Sequence, residues 1–138
     1  MKYLPDTNLW SFYLRAMDSR LTDQVEVAML AGELVMSAIV LAELDYGAEK
    51  ARLRGELRPI QRLTRLRQAI TATSFDQSAA TAYGHLRSDL ERRGLTIGSL
   101  DMLVAAHALA LGAAIVTHNV REFSRIPGLV VEDWQTEI

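Results

Sequence analysis

At 138 residues the chain can bury a core without cross-links, and with no cysteine it excludes disulfides, thiolate metal sites and a cysteine nucleophile. Fifteen basic against seventeen acidic residues leave a net charge of −2, which by itself argues neither for nor against a nucleic-acid partner. The opening "MKYLPDTN" lacks the apolar run of a signal peptide, and no stretch approaches the ~18 apolar residues of a membrane helix, so a cytoplasmic protein with no membrane contact is expected.

In chain order, "KYLP" reads as a first strand that ends on Asp6, and "NLWSFYLRAM" and "DQVEVAMLAG" read as helices separated by "DSRLT". "ELVMSA" is a second strand, and "IVLAELDYGAEKARL" a helix starting behind Ser37, whose hydroxyl suits an N-cap. Residues 50–67, "KARLRGELRPIQRLTRLR", carry seven basic residues and one acidic one, a local +6 on a remainder of −8. Such asymmetry marks either a solvated helix face or a surface for a polyanion or acidic partner. Leu57, Ile60, Leu63, Leu66 and Ile70 recur there at helical spacing, with Arg58, Arg62 and Arg65 turned elsewhere.

"TATSF" is a third strand. "DQSAATAYGHLRSDLERRG" is a long helix capped by Asp76 and closed by Gly94. "SLDMLVAAHALALG" is apolar nearly all round and therefore a buried helix. "AAIVT" is a fourth strand and "GLVVE" a weak fifth. Strands separated by helices need crossover connections, which give a parallel sheet covered on both faces, with ligands at the carboxyl ends of its strands. No linker or repeat divides the chain, so residues 1–138 are expected to form one domain.

Four polar groups fall at that end of the sheet. Asp6 follows the first strand, and Glu43 lies about one and a half turns into the helix leaving the second. Asp101 occupies the first turn of the buried helix, and Asn119 follows the fourth strand, with Glu122 three residues on. Singly each has an ordinary explanation: Asp6 a helix cap, Asp101 a favourable charge at a helix N-terminus, Glu43 a surface residue. Together they are harder to dismiss, because clustered carboxylates repel and lose hydration unless they share protons or bind cations. An oxygen-only set suits Mg²⁺ or Mn²⁺ rather than zinc, and such ions at a sheet edge suit phosphodiester hydrolysis.

"YLPDTN", "SAIVLAELDYGAEK" and "GLTIGSLDMLVAAHALALGAAIVTHNVREFSRIPGLVVEDW" resemble the successive motifs of PIN-domain proteins, specifically the VapC-type toxins of bacterial toxin–antitoxin pairs. The last segment is the most specific, and the likeness runs over nearly the whole chain. The resemblance implies a three-layer α/β/α sandwich with a central, mainly parallel sheet of four to five strands. It also implies a Mg²⁺- or Mn²⁺-dependent endoribonuclease inhibited by a cognate VapB-type antitoxin. Carried over residue by residue, the family's acids fall on Asp6, Glu43 and Asp101, with a neutral Asn119 at the fourth position and Glu122 nearby.

Thr7 and Asn8 resemble the polar pair behind the family's first aspartate, placed to hydrogen-bond Asp6 or cap the next helix. Ser37 and Thr117, at strand ends on the same rim, are local caps or contacts to water or phosphate. His107, mid-helix, is expected to be a packed, hydrogen-bonded residue rather than a base. Arg58, Arg62 and Arg65 are candidate contacts to RNA or a partner. The family also implies homodimers, with the helices of residues 9–31 and 76–93 as contact surfaces. A reading from another class is a noncatalytic RNA-binding module of the same fold whose metal site has decayed at Asn119. An aspartyl-phosphate phosphotransfer domain fits less well, since it needs a second aspartate where this chain has Asn8.

Overall fold

The computed structural model describes residues 1–135. Its elements are β1 (Tyr3–Pro5), α1 (Thr7–Leu14), α2 (Ser19–Leu30), β2 (Met36–Ser37), α3 (Ala38–Leu53), α4 (Arg58–Ala69), β3 (Ala72–Thr73), α5 (Gln77–Arg93), α6 (Ser99–Leu111), β4 (Ala114–Val116), α7 (Val120–Phe123) and β5 (Val131–Glu132). All strand pairs are parallel: β1 with β4, β4 with β5, and β2 with β3. A single bridge between Tyr3 and Leu34 joins the two ladders. There Tyr3 N–H donates to Glu33 O at 2.8 Å and Val35 N–H donates to Tyr3 O at 2.8 Å. The spatial order is thus β3-β2-β1-β4-β5, a five-stranded parallel sheet.

Successive strand residues point to opposite faces, so a strand buried at every position must be covered on both sides. Ala114, Ile115 and Val116 of β4 are all fully buried, as the α/β/α arrangement requires. Their cover includes α6, whose Val104, Ala105, Ala106 and Ala108 are equally inaccessible. The all-round apolarity of that helix predicts this, because no face of it is suited to water. Cap chemistry behaves as its sequence predicts: Asp76 accepts from Ala79 N–H, Ser37 accepts from Ile39 N–H, and Gly94 takes the left-handed conformation that ends α5.

Three local features differ from expectation. The "DSRLT" stretch is not a spacer: Asp18 caps α2 by accepting from Arg20 and Leu21 N–H, and the helix begins at Ser19. That start carries Leu21 into the core, where it is fully buried. The second strand is only Met36–Ser37, because the chain has a single bridge to β1 before turning into α3. A four-residue helix, α7, follows β4; it is too short to show a period in sequence.

In α4, Leu63 and Leu66 are buried and Pro59 sits in the first turn. Arg62 Nη1 donates to the Leu14 carbonyl at 2.6 Å, which ties α4 to the end of α1. One guanidinium of the basic segment therefore serves an orphaned helix-terminal carbonyl. Arg62 and Arg65 also line a groove between α1, α2 and α4 together with Tyr13, Glu26 and Met29.

Candidate active site

The chain lays β1, β2 and β3 to one side and then returns to place β4 and β5 on the other. The strand order therefore reverses between β1 and β4, where the carboxyl ends of parallel strands leave a crevice. Asp6 and Thr117 are the first residues beyond those two strands, and both are buried. Thr117 Oγ1 donates to Asp6 Oδ2 at 2.6 Å, and Leu9 N–H donates to Asp6 Oδ1 at 2.9 Å. Asp6 is thus the N-cap of α1 and at the same time faces the crevice. Burial, the largest influence, raises its pKa; the bonds from Thr117 and Leu9 oppose this, and the charges of Glu43 and Asp133 add to it.

Glu43 is half-buried on α3 and its Oε1 accepts the Thr7 hydroxyl at 2.6 Å. Here the structure departs from expectation: Thr7 holds Glu43, and the hydroxyl that holds Asp6 comes from Thr117, 111 positions away. Asn8 is exposed. Ser37 is fully buried, capping α3 and lying 2.8 Å from His107 Nδ1, so it is an internal contact rather than a rim group. His107 is buried edge-on to Phe75, the packed and hydrogen-bonded role its position predicts.

Asp101, half-buried in the first turn of α6, has its pKa pushed up to about 6, first by burial and then by Asp6, Glu43 and Glu122. These carboxylates therefore share one field. Glu122, on α7, reaches it. Asn119 is exposed at the start of α7, and its backbone N–H donates to Thr117 Oγ1 at 2.9 Å. One threonine hydroxyl thereby links Asp6 to the loop that carries Asn119.

Asp133 escaped the sequence expectations. It follows β5 directly, adds to the field on Asp6, and lies 3.1 Å from His118 Nδ1. The strand-end rule that singles out Asp6 applies equally to the residue after "VVE", but a two-residue strand gives that rule little to act on.

Among the described residues, no Lys, Arg or His forms an ion pair with Asp6, Glu43, Asp101 or Glu122. Nor, among them, do three acidic or histidine side chains close around one point. Like charges without a counter-ion behave this way: they raise one another's pKa and hold apart. The donor set itself, oxygen only and lacking a compensating cation, fits a hard divalent ion that would draw the carboxylates together.

Gly98, which precedes α6, has φ −56° and ψ 146°, a conformation open to any residue. Its role is spatial. A Cβ there would lie 3.1 Å from Asp101 Oδ2, tighter than ordinary contact. Gly98→Ala should displace the Asp101 carboxylate by a few tenths of an ångström, lowering cleavage and metal affinity several-fold with little change in melting temperature. Unchanged metal titration and cleavage would mean that Asp101 works from another rotamer.

Residues 3–129 match the family model of the PIN domain. The chain belongs to the PIN-domain family, whose nucleases generally depend on a divalent metal. Within it the chain is similar to VapC ribonucleases: Ribonuclease VapC2 of Rickettsia felis is 34% identical over 134 residues, 97% of this chain and 98% of that protein. The tRNA(fMet)-specific endonuclease VapC of Shigella flexneri is 34% identical over the same shares. The crystal structure of VapBC2 from Rickettsia felis bound to a promoter DNA fragment contains a chain with TM-score 0.89 and 33% identity, covering 98% of this chain and 100% of that one. DNA-bound VapBC from Salmonella typhimurium gives TM-score 0.84 and 33% identity, covering 98% and 99%. Among the described residues, no helix is long and apolar enough to cross a membrane.

Proposed function

We propose that this chain is a Mg²⁺- or Mn²⁺-dependent endoribonuclease, the toxin of a type II toxin–antitoxin pair, with its active site at Asp6, Glu43 and Asp101. The observation that carries the reading is the meeting of carboxylates at the β1/β4 switch point: Asp6, held there by Thr117 and Leu9 N–H, Glu43, held by Thr7, and Asp101, on which both bear, with no ion-paired cation among the described residues. Protein that only had to fold would gain by losing one of these charges. The noncatalytic alternative gives no reason to keep all of them.

A divalent cation bound there would lower the pKa of a water and neutralise charge on the scissile phosphate. The chain's residues supply the frame. Asp6 is fixed through both oxygens by Leu9 N–H and Thr117, and each oxygen keeps a further lone pair for a ligand. Glu43 is oriented by Thr7. Asp101 would act as a ligand in its deprotonated form, so metal binding there would release the proton that burial and its neighbours favour, and metal affinity should rise with pH. Asn119 offers one neutral carbonyl, and Glu122, whose charge bears on Asp101, is the source of a fourth charge.

The substrate is RNA, with initiator tRNA the first to test given the name of the Shigella flexneri relative. A VapB-type antitoxin holds the protein in check, in keeping with the VapBC complexes of its structural relatives, and the protein works in the cytoplasm as a homodimer. Arg58 and Arg65 are candidates to contact RNA or that partner, while Arg62 is already engaged with Leu14 O.

Full-length protein freed of its antitoxin should cut labelled RNA when Mg²⁺ or Mn²⁺ is added. Chelation should stop the cutting and leave the circular dichroism spectrum intact, since the core is independent of the crevice. Cleavage that survives exhaustive chelation and repurification would overturn the mechanism.

A further inference from the structure

Beyond Glu43, α3 leaves the crevice with an unusual pair on its surface. Tyr46 is 66% exposed, and the Lys50 ammonium stands 4.8 Å from the centroid of its ring. Helical geometry puts both on the Glu43 edge: three and seven residues on, they are rotated about 60° and about 20° from Glu43 and advanced about 4.5 and 10.5 Å along the axis. That edge is located by the Thr7–Glu43 bond, which points it at the crevice.

The acidic residues adjacent to the pair in sequence are matched. Glu49 pairs with Arg52 and Asp45 with Arg67, whereas Lys50 forms no ion pair among the described residues. An exposed ring beside an unpaired ammonium offers a base a stacking surface and its phosphate a counter-charge. Lys50 also opens the +6 segment of residues 50–67, which runs from the last turn of α3 into α4.

Resting on the nuclease reading above, we propose that Tyr46 and Lys50 form a subsite for single-stranded RNA beside the scissile phosphate, Tyr46 stacking on a base and Lys50 holding a phosphate. The subsite is tolerant of sequence, because every base presents a π-face. It grips the strand next to the cut and forces that segment to be unpaired. A double helix, its bases stacked on one another, leaves none for Tyr46.

The test uses the full-length chain carrying Asp101→Asn to prevent cutting, titrated with a fluorescently labelled single-stranded RNA oligonucleotide in Mg²⁺ and read by anisotropy. Tyr46→Ala should weaken binding roughly tenfold, the scale of one base–aromatic stack, while Tyr46→Phe keeps it within about twofold. Lys50→Gln should reduce the slope of log K against log salt by about 0.7, the share of one phosphate on a single strand. In the cutting protein Tyr46→Ala should raise KM more than it lowers kcat. Should Tyr46→Ala and Lys50→Gln bind RNA like the parent, the subsite does not exist. If they weaken only self-association or antitoxin binding, the surface is a protein interface and the proposal falls. A wild-type chain that never cuts RNA would sink the nuclease reading alone, since the binding titration judges the subsite independently.

Discussion

Replacing Asp101 by asparagine is expected to lower RNA cleavage by well over 100-fold and to make overexpression harmless to the host. The scale follows from comparison with Thr117, which touches Asp6 rather than the crevice. Loss of such an orienting partner typically costs roughly 10–100-fold in metal affinity or activity, and Thr117→Val should fall in that range. If Asp101 and Asp6 are ligands of the ion, as proposed, removing the formal charge of either should cost more. The two asparagine variants should part company in stability. Asp101→Asn removes a carboxylate that burial and its neighbours hold at a pKa of about 6, so the metal-free protein should melt at higher temperature at pH 7. Asp6→Asn also removes a strained charge and can keep the N-cap, but its amide nitrogen replaces the oxygen that accepts the 2.6 Å bond from Thr117, so its melting temperature should change less. Cleavage of a labelled RNA and thermal melts in chelator measure both. Near-normal cutting by Asp101→Asn would remove Asp101 from the chemistry. A lower melting temperature for it would show that its charge is compensated by a group outside the crevice.

Features that depend on neighbours in sequence were legible before the structure. Ser37, Asp76 and Gly94 do what local cap chemistry requires, and α6 is buried because its composition leaves no polar face. Asp6 was legible as an acid at the end of a first parallel strand, where ligand crevices form. The relations that turn acids into a site are long-range and were not legible. That Thr117 would hold Asp6 and Thr7 would hold Glu43, rather than Thr7 holding Asp6, depends on how two strand ends and a helix meet in space. Asp133 was hidden because β5 spans only Val131–Glu132. Arg62 looked free because its partner is a backbone carbonyl, Leu14 O, which no charge count registers. Glu122 could be placed only once α7 was seen to follow β4 and its charge to bear on Asp101.

Asn119→Asp should lower the Mg²⁺ or Mn²⁺ concentration needed for half-maximal cleavage and make the metal-free protein less stable at neutral pH. Its backbone N–H is anchored to the same Thr117 hydroxyl that holds Asp6. A carboxylate at position 119 would therefore stand on a backbone tied to the Asp6–Thr117 bond, and hard cations respond strongly to ligand charge. The pH dependence carries a definite sign. The Asp101 pKa is raised from an ordinary 3.8 to about 6, so between those values the folded chain binds more protons than the unfolded one. Its contribution to stability accordingly declines as pH rises through that window, and the full penalty stands above about pH 6. A new carboxylate nearby raises Asp101 further and deepens the decline. The difference in melting temperature between wild type and Asn119→Asp should thus be large at pH 7, shrink toward pH 5, and largely vanish at pH 7 with saturating metal. His107 works in the opposite direction: burial lowers its pKa below 6.5, so acidification costs stability. That cost is common to both proteins and cancels in the difference. Should the variant match wild type in both metal requirement and metal-free melting at pH 7, position 119 lies outside the field of the acids. Glu122 would then be the fourth carboxylate, and Glu122→Gln, by relieving Asp101, should raise the metal requirement and stabilise the metal-free fold.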